Sequence, residues 1–192
     1  MINLNSINTN KYDFDIYNSS DKINNKENSL NCKLQDTTIY NSKDDSADDK
    51  YILDEINSET DPTEKQEDLI LYYNLKKAGV DFKNISWEQE KSWLVTFPPT
   101  TAPGYIRQAF REALSNIPES ERGNICFGLS CEYDMYKSKN QIEDFNSISY
   151  YNNLISCMLQ NNEKNSSILG GDIYKYTKNL LDDFSFNLQK IK

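Results

Sequence analysis

No histidine occurs anywhere in the 192 residues of the chain. Its absence removes the Ser-His-Asp and Cys-His nucleophile arrangements, every imidazole metal site and the commonest general base near neutral pH. Catalysis would have to rest on carboxylate, Lys, Tyr or Cys chemistry. No catalytic residue, cofactor site or metal site is therefore assigned, and a non-enzymatic role is expected. Cysteine is scarce as well: Cys32, Cys126, Cys131 and Cys157 are too few for a disulfide scaffold. Cys126 and Cys131 diverge by about 140° on a helix and would lie on opposite faces of a strand. They read as buried small hydrophobes rather than as half of a zinc site.

Long apolar runs are missing too. Nothing approaches the ~20 residues that span a bilayer, and the start lacks the charged and apolar regions of a Sec-type signal. A cytoplasmic location is the expectation, with export independent of a Sec signal as the alternative. Basic charge is in deficit, with 21 Lys and Arg against 30 Asp and Glu for a net charge of −9. Without a basic stripe to offset it, this balance disfavours nucleic acid and anionic membrane surfaces as partners.

What apolar content there is lies in the C-terminal two thirds. Residues 1–47 are built from Asn, Ser, Asp, Lys and Thr with isolated Tyr, Phe and Ile. Such a segment buries too little apolar surface to offset a backbone ordering cost of about 1–2 kcal/mol per residue. The organisation expected is a disordered polar arm over 1–60, with a short helical turn around Tyr51–Ile56, followed by a helical domain over 61–192. The Asp44–Asp49 run lacks the Gly and terminal Glu of a calcium loop and reads as a solvated acidic stretch.

Order is expected to start with Asp61 as a cap, Pro62 at the first helical position and Glu64 in the first turn. Gly79 ends that helix. Ser86 caps a short helix that carries Trp87 and Trp93, and Pro98-Pro99 breaks it. From Thr101, read as a cap, Ala102, Ile106, Ala109/Phe110, Ala113/Leu114 and Ile117 form a stripe of helical period. Two more helices follow, one with Ile142, Phe145, Ile148, Tyr151, Ile155 and Met158 on one face, the other running from Ile173 to Ile191. A loop is expected over 160–166 between them. The fold class is thus all-α, a bundle of about five to six helices. Residues 124–136 also alternate with a period of two, as do Trp93, Val95 and Phe97. The alternative is an α+β fold with a hairpin of 93–97 and 125–135.

Four residues stand out as partner-binding candidates. Arg107 and Arg111 are spaced i, i+4 and would project together, forked for a partner's carboxylates. The plainer reading makes them a solvated face paired within the chain to Glu112 or Glu119. Trp87 and Trp93, near Phe97 and two prolines, suit an exposed anchor, although aromatics so spaced commonly form a core. Leu169-Gly-Gly-Asp172 has the look of an anion-binding turn but lacks a phosphate-loop pattern. The adjacent Asp182 and Asp183 diverge on a helix and make no carboxylate pair.

The opening Met1-Ile-Asn-Leu-Asn-Ser-Ile-Asn resembles the Asn- and Ser-rich starts of small proteins made alongside bacterial flagella. That resemblance implies an alternative function, a secreted or flagellum-associated protein exported through an unstructured N-terminus. The leading expectation from the residues themselves is a protein-interaction or adaptor module built on amphipathic helices.

Overall fold

Asp61 starts the largest part of the domain by a local mechanism. Its Oδ1 accepts from the backbone N–H groups of Thr63 and Glu64 at 2.7 and 3.0 Å, satisfying donors that a helix N-terminus leaves open. Pro62 takes the first helical position, where a missing N–H costs nothing. The helix ends in a Schellman turn: Gly79, at φ +85°, donates to Lys76 O, and Val80 N–H reaches back to Leu75 O. The computed structural model describes residues 50–82, 85–139, 146–166 and 170–191. The arm 1–49, with Cys32, and the positions Ile142, Phe145 and Leu169 lie outside the described residues.

The described residues form seven helices and no strand: α1 (Lys50–Asn57), α2 (Pro62–Lys77), α3 (Trp87–Trp93), α4 (Gly104–Leu114), α5 (Glu119–Lys139), α6 (Ile148–Lys164) and α7 (Gly171–Lys190). The all-α fold is the one expected. The hairpin alternative fails because α5 runs unbroken through 125–135, with Ile125, Leu129 and Tyr133 buried at helical spacing. Two boundaries differ from expectation. The Asn-rich stretch from 160 continues α6 to Lys164, since Asn162 faces inward and its Nδ2 donates to Tyr174 O. The packed structure also reaches back to Lys50, because Ile52 and Ile56 of α1 are fully buried.

Two hydrophobic cores result. In the larger, Ile106 and Phe110 of α4, Leu129 of α5, Tyr151 and Ile155 of α6 and Phe184 of α7 pack with Phe97 from the α3–α4 connection. Phe97, Phe110 and Phe184 meet edge to face at 5.3 to 6.1 Å, the geometry that aromatic quadrupoles favour. In the smaller, Ile52 and Ile56 of α1, Tyr72 and Leu75 of α2, Phe82 and Trp87 form a separate cluster. Tyr51 of α1 closes it by donating to Phe82 O and to Ile85 O.

Candidate interaction surface

Between the two cores lies a seam of charged residues. Glu64, Glu67 and Asp68 project from one side of α2 toward α4, and Lys91 joins them from α3. Asp68 is completely buried. Its Oδ2 accepts from Trp87 Nε1 at 2.5 Å and from Lys91 Nζ at 3.0 Å, and Arg107 Nη2 stands 2.7 Å from its Oδ1. Glu64 pairs with the same guanidinium, and the Arg107 Nε donates to Ala102 O at 2.9 Å. Glu67 takes Arg111 through Nη2 at 2.7 Å and Nε at 3.1 Å, a forked contact with fixed orientation. Burial alone would lower the Lys91 pKa. The hydrogen bond to Glu88 and the charge of Asp68 outweigh it and raise the group above its ordinary value.

Glu64 also replaces the cap expected from Thr101. Helix α4 begins at Gly104, Pro103 fills the cap position without a side-chain bond, and Thr101 is exposed. The Glu64 carboxylate instead accepts from Gly104 N–H. That contact requires the two backbones to approach closely. A Cβ on residue 104 would stand 2.6 Å from Glu64 N and Cα, so only glycine fits there.

Three of the four candidate residues have partners within the fold. Arg107 is not on a solvated face, and both arginines take carboxylates from α2: Arg107 meets Glu64 and Asp68, and Arg111 meets Glu67. Trp87 is 2% exposed and belongs to the smaller core. Arg122, the remaining arginine, holds the end of α4 by donating to Ile117 O and Ser115 O. Trp93, by contrast, lies at the surface: it is 59% exposed, and Val95, two residues on, is 46% exposed. Asp182 and Asp183 diverge, as their adjacency on a helix predicts. Asp182 meets Lys178, and Asp183 accepts from Asn116.

Sequence reasoning missed Glu64, Asp68, Lys91 and Gly104. A signal existed for the acids, since Glu64 and Asp68 precede Leu71 and Leu75 at steps of four, three and four on one helical row. A charge set on an apolar row needs a partner, and here α3 and α4 supply it. Cys126 is buried as expected, whereas Cys131 is exposed and Cys157 half-buried, so the buried-hydrophobe reading fails at Cys131, which the 140° divergence turns out of the core. Among the described residues no group of His, Cys, Asp or Glu is placed to hold a metal ion, and no helix is long and apolar enough to cross a membrane.

A groove of about 250 Å³ lies between α5 and α6, lined by Glu132, Met135, Tyr136, Leu154, Cys157 and Met158 among others. Burial raises the Glu132 pKa, countered in part by the hydrogen bond from Asn161 Nδ2 at 2.6 Å. Burial likewise raises the hydroxyl pKa of Tyr151, which is fully enclosed, and of Tyr150. No family model, curated protein or solved structure matches the chain.

Proposed function

We propose that the helical domain is a non-enzymatic protein-interaction module whose partner engages Trp93 and Val95. The observation that carries this reading is the exposure of Trp93 on a chain that buries its other tryptophan completely enough to hydrogen-bond its indole N–H. Exposed Trp and Val at the end of α3 offer a large apolar contact at small ordering cost, the pattern of a binding hot spot. The buried ionic groups support a scaffold role, because Glu64, Glu67 and Asp68 are engaged by Lys91, Arg107 and Arg111 and are taken up in joining helices. The lack of histidine points the same way.

The test is affinity capture from source cells with the full chain and with Trp93→Ala/Val95→Ala side by side. A partner retained by the parent and lost by the double variant, at unchanged circular dichroism, is the expected result. Equal retention by both proteins would remove this patch from the interface.

A further inference from the structure

The groove between α5 and α6 brings sulfur together. Of the three methionines in the chain, Met135 of α5 and Met158 of α6 both line it, and the third is Met1. Cys157, half-buried, lines it beside Met158. One wall of a space of about 250 Å³ thus carries a thioether, and the other carries a thiol and a second thioether. Met158 is 1% exposed and belongs to the larger core, which sets it at the inner side; Met135, 56% exposed, stands at the mouth. The walls are tied to each other at this level, because Glu132 accepts from Asn161 Nδ2 at 2.6 Å. Leu154, fully buried, and half-buried Tyr136 make the rest of the lining largely apolar.

We propose that this groove is a copper(I) site, in which the Cys157 thiolate and the Met135 and Met158 thioethers hold the ion. The donor set carries the choice of metal. Thiolate and thioether are soft ligands and select copper(I) over the harder divalent ions. Imidazole, which suits zinc and divalent copper, is absent from the chain. Glu132 is one carboxylate, far short of the oxygen cage that calcium takes. An apolar surround limits access of water, which disfavours ions that keep their hydration shell. Packing explains a methionine at position 158 but not an exposed one at 135. An unbranched side chain with three rotatable bonds can swing its thioether inward from the mouth. Binding exchanges one ion for one proton: the Cys157 S–H bond breaks, a copper–sulfur bond forms, the proton leaves to solvent, and no electron is transferred.

The test titrates copper(I) into the reduced full-length chain under anaerobic conditions, with bicinchoninate as the competing chelator. One ion per chain should bind, with release of one proton. Cys157→Ser should weaken binding by at least about 100-fold, and Met135→Leu and Met158→Leu by at least about 10-fold each, since even an outer-shell partner of a metal is worth that much. Leucine conserves volume and keeps the helical packing, which circular dichroism checks. Cys32→Ser and Cys131→Ser should leave the affinity unchanged. X-ray absorption of the parent complex should show a copper shell made of sulfur alone, with three neighbours, and needs no variant to fold. Failure to compete with bicinchoninate would overturn the proposal, as would binding that survives Cys157→Ser or that falls with Cys131→Ser or Cys32→Ser. Affinity unmoved by both leucines, or a shell with nitrogen or oxygen neighbours, would also overturn it, by reducing the site to an adduct of a single thiol.

Discussion

Replacing Asp68 by alanine should cost more than the loss of any exposed ion pair in this protein. The carboxylate is wholly buried, accepts from Trp87 Nε1 and Lys91 Nζ, and forms an ion pair with the Arg107 guanidinium. The Lys91 and Arg107 side chains are themselves only 3% and 9% exposed, so water does not replace the missing anion. Removing one partner of a buried pair costs about 3–5 kcal/mol, mostly from the charge left behind. Here Lys91 keeps Glu88 at 2.6 Å and Arg107 keeps Glu64, which places the expectation near the lower end, about 3 kcal/mol. Against a total stability of roughly 5–15 kcal/mol, such a loss is readily measured. Urea denaturation followed by circular dichroism should show a lower midpoint at unchanged slope. A cycle of Asp68→Asn with Lys91→Met should show coupling of about 0.5–3 kcal/mol. A loss below about 1 kcal/mol, the value of an ordinary hydrogen bond, would refute the idea that the seam is closed to water.

Two further outcomes follow from the same geometry. Gly104→Ala should destabilise by at least about 1–3 kcal/mol, because the new methyl group drives α4 off the Glu64 backbone; helix propensity alone predicts a gain of about 1 kcal/mol, so the sign of the shift in thermal midpoint decides. Alkaline pH should unfold the domain cooperatively, since the raised hydroxyl pKa of Tyr151 and Tyr150 means that the folded state holds protons the unfolded chain releases near pH 10. The raised Lys91 adds stability that is present below its unfolded value and is lost as pH rises through the folded one. Titration of tyrosinate absorbance should show a delayed class of tyrosines released with unfolding. Ordinary titration of every tyrosine in an intact fold would contradict the burial of Tyr151.

Local chemistry made much of the architecture readable. Asp61, Pro62 and Gly79 act on backbone groups within a few residues of themselves, so their roles follow from sequence order. The α4 stripe of Ile106, Phe110, Ala113 and Leu114 faces a core because period 3.6 allows no other segregation of apolar from polar side chains. Residues 124–136 show the limit of periodicity. Their alternation also fits a strand, and helix wins because Ile125, Leu129 and Tyr133 find the larger core while Phe127 and Met135 stay outside it.

The histidine-free composition and the Asp61 and Ser86 caps are properties of the chain alone, since each depends only on residue identity or on neighbours in sequence. Tertiary structure decided the fate of the charged and aromatic candidates. Arg107 and Glu64 are 43 residues apart and Trp87 and Asp68 are 19 apart, and no helical period carries information over such separations. Charges become a clasp, and a tryptophan becomes core or surface, only when long-range packing sets what lies opposite. Trp87 meets Asp68 beneath α3, whereas Trp93, at the other end of the same helix, remains largely exposed to solvent.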